Sequence, residues 1–164
     1  MIKRLLPLIL ITSIFIPCFV FAAKKAGVPA EPVLITSLGQ NPDGLMVKVV
    51  LNKIGVKNNY IELTKGEELN DYHSIIMAVG VSYKGLGANG INFEYEVNRA
   101  KNLVSKALEM DCPIILVLLG GSFSREKETN QLIELIAPYS SFVVMEKDKN
   151  RNKYITNLIH GKII

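Results

Sequence analysis

A three-layer α/β domain built on one parallel sheet is the fold this sequence predicts, and two observations predict it. Short apolar runs alternate five times with stretches of helical spacing, the pattern of strands joined by crossover helices. The central runs, Ser74-Ile75-Ile76-Met77-Ala78-Val79 and Pro113-Ile114-Ile115-Leu116-Val117-Leu118-Leu119, do not alternate apolar with polar. Strands of that kind are buried on both faces, as in a parallel sheet covered by helices. Right-handed crossovers leave few topologies, and the simplest for five strands is the flavodoxin-like order 2-1-3-4-5.

The elements follow in order. Pro32-Val33-Leu34-Ile35-Thr36 reads as the first strand. Asn41-Pro42-Asp43 then opens a helix with a side-chain cap, a proline at the first helical position and an acid in the first turn. Leu45, Met46, Val49, Val50 and Ile54 follow at helical spacing, and Gly55 ends the helix. Tyr60-Ile61-Glu62-Leu63 is a shorter second strand, and Ser74–Val79 is the third. A glycine-rich loop from Gly80 to Gly90 leads to a long helix over about Phe93–Met110, with Val97, Ala100, Leu103, Val104, Ala107 and Leu108 on one stripe. After the fourth strand, Gly120-Gly121-Ser122 introduces a helix that ends near Ala137, before Pro138. Phe142-Val143-Val144-Met145 is the fifth strand, and Lys153 to His160 a closing helix.

The N-terminus reads as an address. Met1-Ile2-Lys3-Arg4 is basic, Leu5–Phe21 is an uncharged run of 17 residues, and Val20-Phe21-Ala22 sets small residues at −3 and −1 of a cleavage site. Together they predict a secretory signal peptide over residues 1–22. A tether over 23–31 and a single domain over 32–164 follow. The alternative is an uncleaved anchor, because 17 residues lie at the lower limit for a span. Pro7 and Pro17 would weaken it as a helix, so cleavage is the expectation. Both readings put the domain outside the cytoplasm, in the periplasm or the medium, since the basic end stays inside. The phenylalanine, isoleucine and proline before Cys18 lack the small residues of a lipoprotein signal. With Cys18 removed, Cys112 is the only thiol; beside an apolar strand and without a basic neighbour, it reads as a buried small hydrophobe.

Removing Lys3 and Arg4 leaves 17 basic against 15 acidic side chains, a net charge of +2. That near-neutral balance argues against a nucleic-acid binder. The composition excludes collagen, disordered, coiled-coil and multi-pass membrane classes.

In an open parallel sheet, ligands bind beyond the carboxyl ends of the strands, where the strand order reverses. Order 2-1-3 sets that crevice between Ser37-Leu38-Gly39-Gln40-Asn41 and the Gly80–Gly90 loop, with Gly120-Gly121-Ser122-Phe123-Ser124-Arg125 at its border. Helix N-termini aim free amides there, and Lys84 and Arg125 add charge. The expected ligand is therefore a small anion or carboxylate. Its expected contacts are Ser37, Gln40, Gly80, Ser82, Lys84, Gly85, Gly87, Asn89, Gly120, Gly121, Ser122 and Arg125. Glycines after strands also serve tight turns whatever the loop binds. The Gly80–Gly90 loop exceeds that need, with 11 residues where about 2–6 suffice.

Gly85-Leu86-Gly87-Ala88-Asn89-Gly90 fits G-x-G-x-x-G, but four residues separate it from Gly80, and the next strand ends without an acid. Dinucleotide binding is not expected from it. The first loop lacks the hydroxyl-rich run that cradles a flavin phosphate, and no P-loop motif occurs. No cofactor is expected.

The combination of Val33–Gln40, Met46-Val47-Lys48, Gly80–Ala88 and Gly120-Gly121 resembles a group of small exported bacterial α/β proteins classed only as a domain of unknown function. The resemblance spans roughly Pro32 to Met145, and Ser82-Tyr83-Lys84-Gly85-Leu86-Gly87 is its most specific part. It implies export and the fold, and it brings no activity.

Catalytic machinery is sparse. His73 precedes the third strand and His160 ends a helix antiparallel to the strands, so both belong to the edge opposite the glycine loops. A histidine-dependent nucleophile is not expected there, and one thiol with two distant histidines offers no metal spacing. Asp43, Glu94, Glu126 and Glu146 fall near the crevice, each explained by helix-dipole stabilisation of about 0.3–1 kcal/mol. Glu94 and Glu96 are two apart and do not share a helix face. The mixed-sign stretch Glu146–Lys153 reads as a solvated loop.

The leading expectation is an exported binding module for a small anionic ligand, with no catalytic residues and no metal. The alternatives are a cell-envelope interaction or structural protein without a small ligand, and a carboxylate-dependent hydrolase or transferase. Partners would be the small anion, an envelope protein, no nucleic acid, and a membrane only through the signal segment.

Overall fold

The computed structural model describes residues 28–119, 127–146 and 154–160. The segment expected to be a signal peptide, most of the expected tether, residues 120–126 and the mixed-sign residues 147–153 lie outside the described residues. Five strands form one sheet: β1 (Val33–Leu38), β2 (Asn58–Tyr60), β3 (Ser74–Val79), β4 (Ile114–Leu118) and β5 (Phe142–Met145). All pair in parallel, in the order β2-β1-β3-β4-β5. The helices are α1 (Asp43–Lys53), α2 (Tyr83–Ala88), α3 (Phe93–Glu109), α4 (Lys127–Ile136) and α5 (Tyr154–His160). Fold class and strand order are those the sequence predicts.

Every residue of β1, β3 and β4 is buried, which is why those runs carry no polar alternation. Their side chains divide between two cores. Leu34, Leu38, Ile75, Met77, Val79, Ile114, Leu116 and Leu118 point toward α3 and α4, joined by Leu86 of α2 and Ile155 of α5. Val33, Ile35, Ile76, Ala78, Ile115 and Val117 point the other way, where Val47 and Leu51 of α1 meet them. Among the described residues, α1 is the helix that covers this second face. Helix α3 begins where Asn92 Oδ1 accepts the Tyr95 N–H at 2.8 Å. It buries Val97, Ala100, Leu103, Val104 and Ala107 of the stripe that its spacing predicts, whereas Leu108, at the edge of that stripe, is exposed.

Three boundaries differ from expectation. Strand β1 continues past Thr36, because Ser37 and Leu38 still pair with Ala78 and Val79. Strand β2 lies earlier than residues 60–63: Val33, Leu34 and Ile35 face Asn58, Asn59 and Tyr60. It is an edge strand with polar side chains, and Ile61 leaves it to pack against the larger core. The third difference is the largest. Gly80–Gly90 is not a loop, because its middle is helix α2, closed at its start by Ser82 Oγ accepting from Gly85 N–H at 3.1 Å.

His73 sits at the N-terminal edge of β3, its Nδ1 2.6 Å from the Glu31 carbonyl oxygen and its N–H donating to Pro32. Cys112 is buried, and that burial pushes its thiol up to about 11. At pH 8 the native protein is therefore expected to leave Cys112 unmodified by a thiol-specific reagent and to expose it only on unfolding. Rapid native labelling at that position would contradict the burial. Among the described residues, no helix is long and apolar enough to cross a membrane.

Candidate functional site

The carboxyl ends of β1 and β3 are zipped together. Leu38 O accepts from Gly80 N–H at 3.0 Å and Gly39 O from Ser82 N–H at 2.7 Å, while Gln40 and Val81 form an antiparallel bridge. Contact this close requires Gly39. Its φ is +91°, and a Cβ there would stand 2.5 Å from the Gly80 carbonyl oxygen. Gln40 follows at φ +59°, so β1 ends in two consecutive left-handed residues.

A buried ion pair holds that turn from below. The Glu96 carboxylate, wholly inaccessible, accepts through Oε2 from Gly39 N–H at 2.9 Å and from Arg99 Nη2 at 2.8 Å. Its Oε1 accepts from Gln40 Nε2 at 2.7 Å and Arg99 Nε at 3.2 Å. Arg99 spends its other donors on Thr36 Oγ1 at 3.1 Å and on the Ser37 carbonyl. The network then runs outward. Thr36 Oγ1 donates to Glu62 O, and Asn89 Nδ2 donates to Gln40 Oε1 and Glu62 Oε1, each at 3.1 Å. Every member has partners, the condition under which a buried polar cluster fixes one conformation instead of weakening the core.

Among the residues expected at the site, Ser37, Gln40, Gly80, Ser82, Gly85 and Asn89 come together here, largely in each other's service. Ser37 Oγ is buried beneath α1, accepting from Gly44 N–H at 3.3 Å and Tyr60 Oη at 3.4 Å. Burial raises the Tyr60 hydroxyl above its ordinary pKa, and the Ser37 hydrogen bond opposes that shift. Gln40 has both ends of its amide engaged. Gly85 lies against Gln40, where a Cβ would stand 2.2 Å from the Gln40 carbonyl oxygen. Lys84 and Gly87 are exposed on α2. Gly120, Gly121, Ser122 and Arg125 lie outside the described residues.

Sequence reasoning missed Glu96, Arg99 and Asn41. Asn41 is expected as the cap of α1, but Pro42 takes the N-cap position, and Asn41 Oδ1, one residue earlier, accepts from Asp43 N–H at 3.0 Å. Its Nδ2, however, is buried beside Gly80 with no hydrogen-bond partner. Asp43 is buried next to it, whereas Glu94 is exposed on the first turn of α3. Among the described residues, no group of three histidine, cysteine or acidic side chains is placed to hold a metal ion.

No curated protein matches the chain. Residues 30–164 match a family model described as a domain of unknown function, so the chain belongs to the DUF6305 family.

Proposed function

We propose that this DUF6305 domain is exported and binds a small anionic or carboxylate-bearing ligand at the carboxyl ends of β1 and β3. One observation carries the reading: the buried, unpartnered Nδ2 of Asn41. The amide is held in place through its Oδ1, so its free donor has a fixed direction. A buried donor without a partner costs about 1–3 kcal/mol, and a ligand oxygen placed against it removes that cost. The position supports the reading too, because it lies at the point where strand order reverses and beside the N-terminus of α1.

The test is a thermal-shift screen against inorganic phosphate, acetate, amino acids and larger organic acids, followed by titration of the best ligand. Asn41→Ala is expected to weaken that ligand by about tenfold or more, the equivalent of the lost donor, with the free protein's melting temperature nearly unchanged. Lys84→Ala, at an exposed rim position, is expected to weaken it by no more than about fivefold. A flat screen, or an Asn41→Ala variant with full affinity, would refute the proposal. Export has its own measurement: N-terminal sequencing of the protein recovered from cells should begin at Ala23, and a chain beginning at Met1 counts against cleavage.

A further inference from the structure

Helix α1 is apolar on both sides. Val47 and Leu51 serve the core beneath it, yet Leu45, Met46, Val49, Val50 and Ile54 stand 49–67% exposed. At about 100° per residue, Leu45, Val49, Met46 and Val50 fill one continuous arc, and Ile54 extends it at the C-terminal cap. A helix packed on a sheet ordinarily turns polar residues outward, and a contiguous apolar patch on a surface marks a contact with something else.

The charges around the patch say what that contact is. Lys53 and Lys57 are exposed and Lys48 is half-buried, while the acid of the same segment, Asp43, is buried. Glu31, which borders the end of this segment, accepts the Lys57 backbone N–H. A second copy of the chain would bring lysines toward lysines, with no exposed acid between residues 43 and 57 to pair with them. An anionic lipid surface suits both the apolar arc and the lysines.

The course of the chain agrees. Helix α1 runs antiparallel to the strands, so Lys53 and Ile54 lie at the edge where β1 begins. Val28 and Ala30 enter at that same edge, Ala30 N–H donating to Ser74 Oγ at 2.7 Å. The sequence ahead of them carries the uncharged run Leu5–Phe21 and then Lys24-Lys25.

We infer that the outer face of α1 docks onto an anionic phospholipid bilayer. The apolar side chains enter the headgroup–acyl boundary, and Lys53 and Lys57 meet lipid phosphates. The proposal is independent of the ligand site at the opposite edge.

A site-specific probe tests it in the full chain, where bulk binding would also report the N-terminal run. In a Cys18→Ser, Cys112→Ala background, Val49→Cys is labelled with an environment-sensitive fluorophore and Leu108→Cys, on α3, serves as the control. With phosphatidylglycerol vesicles, the label at position 49 is expected to shift to the blue and to resist iodide quenching. Phosphatidylcholine vesicles should produce neither effect, and the label at 108 should stay unchanged with both lipids. Lys53→Gln and Lys57→Gln should each lower the ratio of docked to undocked label about fivefold, the worth of one lysine at an anionic surface. An unshifted label at 49 with phosphatidylglycerol overturns the inference. So does an equal shift with both lipids, or a shift without vesicles that grows with protein concentration and so reveals a second copy.

Discussion

Arg99→Ala is expected to lower the stability of this domain by about 3–5 kcal/mol, because it strands a fully buried carboxylate. Glu96 would keep the Gly39 N–H and the Gln40 amide as donors, and would lose the guanidinium that contacts both of its oxygens. Domains of this size have about 5–15 kcal/mol in total, so the variant should unfold at markedly lower urea. The partner experiment separates stability from positioning. Glu96→Leu with Arg99→Met removes both charges at similar volume and should recover much of the loss, since an apolar pair often does as well as a buried ion pair. It should not recover ligand affinity, because the Gly39 N–H and the Gln40 amide then lose the carboxylate that accepts from both, and Asn41 follows directly from them. A loss below about 1 kcal/mol in Arg99→Ala, the range of a solvent-exposed pair, would show that Glu96 is not desolvated as the fold requires.

That pair also shows where the sequence stops being legible. Glu96 and Arg99 are three apart on a helix, a spacing that usually means a surface ion pair. A signal was present: both continue the stripe of Val97, Ala100, Leu103 and Val104, so two charges stood on a face that had to be buried. Their partners, Gly39, Gln40, Thr36 and Ser37, are about 60 residues away in sequence, and no local pattern announces such contacts. Strands β3 and β4 were legible because burial on both faces leaves no alternative composition. Helix α2 was not, because its glycines disfavour a helix by about 1 kcal/mol each. What holds it lies outside propensity: the Ser82 cap and the burial of Leu86. The sequence identified the edge of the sheet where the ends of β1 and β3 meet, and several of the residues that build it. It did not distinguish the side chains that build that edge from Asn41, whose buried Nδ2 is left without a partner among the described residues.

Gly39→Ala and Gly87→Ala are expected to move stability in opposite directions, although both delete a glycine from the same predicted binding edge. At Gly39 the added Cβ meets the Gly80 carbonyl oxygen at 2.5 Å and both Gly80 C and Val81 Cα at 2.8 Å. All three are backbone atoms that cannot turn aside. The φ of +91° adds strain of about 1–3 kcal/mol for a residue with a side chain. Relief requires β1 and β3 to part where Gly39 O accepts from Ser82 N–H, so the full loss should exceed the dihedral term. At Gly87 a Cβ meets nothing within 4 Å, and the backbone is already helical. Alanine there should stabilise by about 0.5–1 kcal/mol, chiefly by restricting the unfolded chain. Melting curves of the two variants decide the matter, and ligand titration extends it. Gly39→Ala should lose binding along with stability, because Asn41 follows directly from the displaced turn, whereas Gly87→Ala should bind as the parent does. Equal effects at the two positions would mean that the junction of β1 and β3 is looser than its contacts require, and a loose junction could not hold the Asn41 donor in one direction.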